Sequence, residues 1–163
     1  MTQRATFAAG CFWGVESAFR AIPGVAATRV GYTGGHTDDP SYHDVCSDTT
    51  GHAEAVEVEF DPEQVSYEQL LDLFWRSHDP TQGDRQGPDV GSQYPSAVYF
   101  HSPEQQEQAL ASKAQVQAQL PRTVTTEVVP AETFFEAEDY HQQYFEKQGR
   151  TSCTAQLAAG KQA

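Results

Sequence analysis

The 163-residue sequence has no apolar run near the roughly 18 residues that a membrane-crossing helix needs, so no such helix is expected. Its opening, Met-Thr-Gln-Arg-Ala-Thr-Phe-Ala-Ala-Gly, lacks a long apolar stretch, so no secretory signal is expected and the cytoplasm is the simplest address. Basic residues are scarce: ten Lys plus Arg stand against 23 Asp plus Glu, for a formal net charge of −13. Without clustered cations to neutralise phosphates, neither nucleic acid nor an anionic membrane surface is an expected partner. The acid surplus is read as solvated surface. Cysteine is sparse too. Cys11, Cys46 and Cys153 are too few for a disulfide scaffold, and their odd number does not suit a fully paired secreted protein. No Cys-x-x-Cys occurs and the histidines show no zinc-ligand spacing, so no metal and no cofactor is expected. That leaves reactive thiol chemistry or inert buried thiols.

What is present is globular. Hydrophobic residues make up 38% and aromatics 11%, and no repeat or linker interrupts the chain, which predicts a single domain over residues 1–163. An apolar segment at 5–9 reads as a strand, and Phe12, Val15 and Phe19 then give helical spacing over 11–21, stopped by Pro23-Gly24. Strands follow at 26–32 and 53–60. Ser66-Tyr-Glu-Gln69 resembles a capping box, with Tyr67, Leu70, Leu71 and Phe74 on one helical stripe. A strand at 96–101 leads to Ser102-Pro103, which opens a helix to about 120. A strand at 123–129 and a helix at 136–148 complete the chain, with a coil-like tail over 149–163. The β-α-β-β-α-β order predicts an α+β fold, a two-layer sandwich with a ferredoxin-like split βαβ core. Residues 33–52 and 78–94 break the pattern; irregular segments of that length favour function, and each feeds directly into a strand.

Cys11 lies in Gly10-Cys-Phe-Trp-Gly14, where a strand meets a helix. Helix N–H groups and the macrodipole favour an anion there, so the thiol is expected to ionise more easily than a solvated one at about 8.5. A small inert thiol in a tight turn is the rival reading, and Phe12 and Trp13 read as core. In Ala53-Glu-Ala-Val-Glu-Val-Glu-Phe60 the strand period puts Glu54 with Val56, Val58 and Phe60, and Glu57 and Glu59 on the other face, where solvent is expected. A carboxyl on the apolar side is suited to general-acid work, because burial raises its pKa; the alternative is a wet, frayed strand start. Tyr42, Asp89 and Tyr94 sit in the two long loops, where phenols can donate to an oxygen gaining charge. Cys46 reads as an ordinary semi-buried cysteine. Cys153, in a polar tail, has the reach a resolving thiol requires.

These residues resemble the A-class peptide methionine sulfoxide reductases over about residues 5–145. The matching segments are Gly10-Cys-Phe-Trp-Gly14, Gly31-Tyr-Thr-Gly-Gly35, Pro40-Ser-Tyr42, Val45-Cys-Ser47, Thr50-Gly-His-Ala-Glu-Ala55, Gln86-Gly-Pro-Asp-Val-Gly91 with Gln93-Tyr94, and Ala137-Glu-Asp-Tyr-His-Gln142. One would be weak evidence; seven in the family's order are strong. The resemblance implies that Cys11 attacks a sulfoxide sulfur of the S epimer and that Glu54 protonates the leaving oxygen. It implies that Tyr42 and Tyr94 hydrogen-bond that oxygen within a network including Asp89, and that Phe12 and Trp13 hold the S-methyl group. A sulfenic acid on Cys11 would follow, resolved to a disulfide by a second thiol and recycled by thioredoxin, in a protein expected to be a monomer.

The sequence departs from the family pattern at Asp84, where Asn is common, and at Pro95, where Arg often stands; neither carries an assigned role. Its tail has one cysteine and lacks a Gly-rich two-cysteine segment, so Cys153 is the expected resolver, with Cys46 or direct external thiol attack as rivals. Two other readings remain open at this stage. One is a cysteine acyl-transfer enzyme pairing Cys11 with His52 or His141; the other is an acidic binding module with inert thiols.

Overall fold

A computed structural model describes residues 2–47, 50–82 and 94–147, together with the backbone of 85, 86, 89 and 90. Six strands build one sheet in the order β7-β6-β1-β3-β2-β8. Its centre is β1 (Gln3–Ala9), which pairs antiparallel with β3 (Ala53–Phe60) on one side and β6 (Ser96–Phe100) on the other. The last five residues of β1 are all buried, as a strand covered on both faces requires. Strand β2 (Val25–Thr33) pairs antiparallel with β3, so the order β6-β1-β3-β2 is that of a split βαβ sandwich. The edges are β7 (Glu127–Pro130), parallel to β6, and β8 (Phe135–Glu136), antiparallel to β2.

Helices α1 (Phe12–Arg20) and α3 (Tyr67–Arg76) cover one face. Phe12, Val15 and Phe19 of α1 are buried, as their spacing predicts, and Phe7 of β1 stacks on Phe19 at 5.0 Å and on Phe74 at 5.3 Å between ring centroids. The predicted capping box is present: Gln69 N–H donates to Ser66 Oγ and Ser66 N–H to Gln69 Oε1, closing both ends of the first turn of α3. Helix α4 (Pro103–Gln119) starts after Ser102 with proline in its first turn and packs against α3 and on strands β6 and β7. The other sheet face is lined by the small Ala8, Ala53, Ala55 and Ala97, which lets Val129, Ala131 and Phe134 lie close across it.

Three expectations need correction. Residues 33–52 are not wholly irregular: Ser41 and Asp44 form a second capping box that opens the short helix α2 (Tyr42–Cys46). The strand expected at 123–129 is only Glu127–Pro130, because Val124 N–H goes to Gln117 Oε1 and Thr125 N–H to the Pro80 carbonyl. The helix expected at 136–148 is instead β8, a single 3-10 turn over Asp139–His141 and a short α5 (Tyr144–Lys147). Gln142 breaks it: its buried amide accepts from Val30 N–H and donates to the Val30 carbonyl, both at 2.9 Å, as a neighbouring strand would. Gln143 then takes the left-handed conformation, at φ 49°. Between residues 78 and 94, β4 (Arg85–Gln86) pairs with β5 (Asp89–Val90). Among the described residues no helix is long and apolar enough to cross a membrane.

Candidate functional site

β1 ends at Ala9, and Gly10 turns the chain at φ 90°, a conformation that side chains disfavour. Cys11 therefore lands as the N-cap residue of α1, partly exposed, with no side-chain capping bond of its own. The sulfur sits where helix N–H groups favour negative charge.

Glu54, the second residue of β3, is 1% exposed and lies on the helix-covered side with Val56 and Val58, as strand parity predicts. Its Oε1 accepts a hydrogen bond from the Phe12 N–H at 3.2 Å. One bond thus fixes a buried carboxyl beside the residue that follows the thiol.

Tyr42 opens α2, and its N–H donates to Glu138 Oε2 at 2.9 Å. Burial pushes its phenol well above the ordinary value, helped by a hydrogen bond with Cys46 and by the charges of Cys46, Glu54 and Tyr94. The Glu54 and Tyr94 side chains are thus close enough to Tyr42 to act on its phenol. Tyr94 stands half-buried just ahead of β6, and Cys46 is exposed at the end of α2. Asp89 pairs with Gln86 through its backbone, but its side chain lies outside the described residues, as does Cys153 with the tail at 149–163.

Phe12 and Trp13 form an aromatic wall with Tyr32, Tyr144 and His141, of which the sequence singled out only His141, and that for acyl transfer. Phe12 is buried, 5.8 Å from the Tyr32 ring and 5.2 Å from the His141 ring. Trp13 is half-buried: its face stacks on Tyr144 at 3.9 Å, and its indole N–H donates to His141 Nδ1 at 2.9 Å. Tyr32 is fully buried and donates its hydroxyl to Glu138 Oε1 at 3.0 Å. Burial raises the Tyr32 phenol, with the Glu138 charge adding to it. Burial works against the Glu138 carboxylate, but the bonds from Tyr42 and Tyr32 outweigh it, and Glu138 stays below the usual range. Parity with Val30 could have located Tyr32, since an inward phenol needs a partner. Glu138 and His141 lie in Ala137-Glu-Asp-Tyr-His-Gln142, a matched segment without assigned roles.

Neither histidine named for acyl transfer offers a lone pair to the thiol. His52 Nδ1 accepts from the Gly35 N–H at 3.0 Å, so Nε2 carries the proton and faces the Thr37 carbonyl at 2.7 Å. Gly35 permits that closeness, because a Cβ there would stand 2.5 Å from the His52 ring. His141 Nδ1 is taken by Trp13, and burial pushes this imidazole down toward the neutral form. Among the described residues no group of three or more His, Cys, Asp or Glu could hold a metal.

A split βαβ sandwich with a thiol at a helix N-terminus and a buried carboxyl hydrogen-bonded to the N–H of the next residue has the form of a thiol-dependent enzyme. The chain belongs to the peptide methionine sulfoxide reductase family, whose model matches residues 3–163, and is an oxidoreductase. It is 61% identical over 149 residues to the peptide methionine sulfoxide reductase MsrA of Methanosarcina mazei, covering 90% of this chain and 71% of that protein. Among solved structures, methionine sulfoxide reductase A of Corynebacterium diphtheriae aligns with a TM-score of 0.84 at 40% identity, over 93% of this chain and 77% of that one. Reduced Mxr1 of Saccharomyces cerevisiae aligns with a TM-score of 0.87 at 35% identity, over 94% and 90% of the two chains. Mxr1 is also known in complex with Trx2, a form with a TM-score of 0.63 at 23% identity over 88% and 84%.

Proposed function

We propose that the chain, acting as one domain and as a monomer, reduces the S epimer of methionine sulfoxide, free or within proteins, with Cys11 as nucleophile. The Cys11 thiolate attacks the sulfoxide sulfur and Glu54 gives a proton to the oxygen. Tyr42 and Tyr94 donate to that oxygen as it gains negative charge. Asp89 belongs to the same polar network. The methyl group rests against Phe12 and Trp13. The sulfur–oxygen bond of the substrate breaks as oxygen passes to Cys11, so methionine leaves and a sulfenic acid remains. Cys153 attacks that sulfenic acid, water departs, and the resulting disulfide is reduced by the two thiols of a thioredoxin. The Mxr1–Trx2 complex motivates that choice of reductant. Such a cycle requires a reducing compartment, and the cytoplasm is the one we assign.

The observation that carries this reading is the 3.2 Å bond from Phe12 N–H to Glu54 Oε1. It holds a water-excluded acid next to a thiol favoured as the anion, the two reactants that sulfoxide reduction requires. The test is dithiothreitol-driven reduction of the separate S and R epimers of dabsylated methionine sulfoxide by wild type and Cys11→Ser. Reduction of the S epimer alone, abolished in the variant, is expected. Equal use of both epimers, or an active Cys11→Ser, would refute it.

A further inference from the structure

The mechanism gives no part to Glu16, a carboxyl with 0% exposure in the middle of α1. Removing a carboxylate from water is unfavourable unless its oxygens are bonded, and an apolar side chain would fill the same space without that cost. Glu16 is fully engaged. Its Oε1 accepts the Gln143 N–H at 2.7 Å, and its Oε2 accepts the Gln143 amide at 2.9 Å and the Thr28 hydroxyl at 2.8 Å. The Gln143 amide also reaches the Thr28 carbonyl at 3.3 Å. Arg20, one turn further along α1, donates to Thr28 Oγ1 at 3.3 Å and stands 3.8 Å from Glu146 of α5.

We infer that Glu16 is a positioning residue for the Trp13 pocket: it locks the left-handed turn at Gln143 and thereby sets His141 and Tyr144 against the indole. This rests on the reading of Trp13 as a wall of the methyl-binding pocket. Three features combine. Gln143 holds φ 49°, which is unfavourable for any residue with a Cβ, so an outside partner must maintain it. The residue after it, Tyr144, stacks on the Trp13 face, and His141, two residues before it, accepts the indole N–H. Glu16 lies three positions after Trp13 on the same helix, so α1 presents both to the segment at 138–144. If the turn relaxes, both contacts to the indole are lost together, although the thiol and its acid stay in place.

The test compares wild type, Glu16→Gln and Gln143→Gly, all in a Trp75→Phe background so that Trp13 is the only emitting tryptophan. The glycine variant tolerates the turn and keeps Glu16 but loses the amide arm. Glu16→Gln is expected to raise KM for the S epimer about tenfold and to change kcat less than about twofold, while Trp13 emission shifts to the red. Gln143→Gly is expected to raise KM about threefold, with a smaller shift. KM and emission like wild type in the folded variants would overturn the inference, even with a lowered melting temperature. Should Glu16→Gln fail to fold, Gln143→Gly alone decides. Loss of epimer selectivity by wild type, or activity in Cys11→Ser, would instead overturn the proposed function and leave the fluorescence comparison standing.

Discussion

The Trp13 indole N–H donates to His141 Nδ1 at 2.9 Å, joining residues 128 positions apart. An indole only donates, so Nδ1 must carry the lone pair and the neutral ring its proton on Nε2. The same ring packs 4.6 Å from Tyr42 and 5.2 Å from Phe12, which ties the aromatic wall to the phenol proposed to bind the sulfoxide oxygen. His141→Phe keeps an aromatic ring but leaves the indole N–H without its acceptor, at a cost of about 1–3 kcal/mol. We expect KM to rise roughly tenfold with kcat nearly unchanged. Steady-state kinetics with the S epimer checks this, and an unaltered KM would show that the bond does not orient Trp13 for binding.

Glu54→Gln separates proton donation from scaffolding. Glutamine keeps an oxygen for the Phe12 N–H, so the helix start should hold and the melting temperature should fall little. Losing a positioned general acid typically lowers the rate by about 10²–10⁴-fold, and the loss should lie in kcat. A kcat within tenfold of wild type would move the proton donor elsewhere, with the Tyr42 and Tyr94 phenols next in line.

The sheet was legible because its pattern is local. The strand read at 53–60 is matched by Ala53–Phe60, and its period put Glu54 on the helix-covered side; the opposite face is covered as well, so Glu57, expected in solvent, is buried and only Glu59 is exposed. Ser66 and Gln69 announced α3 for a similar reason: the partners of a capping box lie three residues apart. Ser41 and Asp44 carried that signal too, within a segment read as a loop. The segment after Phe135 was not legible from its own residues. The helix expected there is overridden by Val30, 112 positions from Gln142, and by Glu16, 127 positions from Gln143. For the same reason Tyr32, Glu138 and Tyr144 escaped assignment and His141 was named only as a base for the thiol: each gains its place through a partner distant in sequence.

His78 makes stability depend on pH. Its Nδ1 contacts the Phe74 carbonyl at 2.7 Å and its Nε2 faces Ser96 Oγ at 2.6 Å, which joins the two ends of the segment carrying Tyr94. Burial pushes the imidazole down from 6.5 to about 4, so the folded protein resists the protonation that the unfolded chain accepts. The contribution is full above pH 6.5 and shrinks as pH falls toward 4. Because the side chain keeps some exposure, we expect a loss of about 1–2 kcal/mol between pH 7 and pH 5. Urea titrations at both values check it: His78→Gln should lose less over that interval than wild type, and equal losses would remove His78 as the cause.

The resolving step can be assigned by asking which cysteine matters only when the reductant is a protein. Dithiothreitol can reduce a Cys11 sulfenic acid directly, so Cys153→Ser should keep dithiothreitol-driven turnover within about twofold and lose at least about tenfold with thioredoxin. Cys46 faces a different test, because it is exposed on α2 and hydrogen-bonded with Tyr42. Serine preserves such a bond, so Cys46→Ser should leave both assays within about threefold of wild type. If the thioredoxin-driven loss followed Cys46 instead, the resolving thiol would be the one beside Tyr42, a phenol proposed to bind the oxygen. Disulfide formation would then draw α2 toward Cys11 and displace Tyr42, so resolution would also dismantle the oxygen site until thioredoxin restored it. If neither variant lost turnover, the external thiol would be attacking Cys11 itself, and the partly exposed position of Cys11 would be the reason.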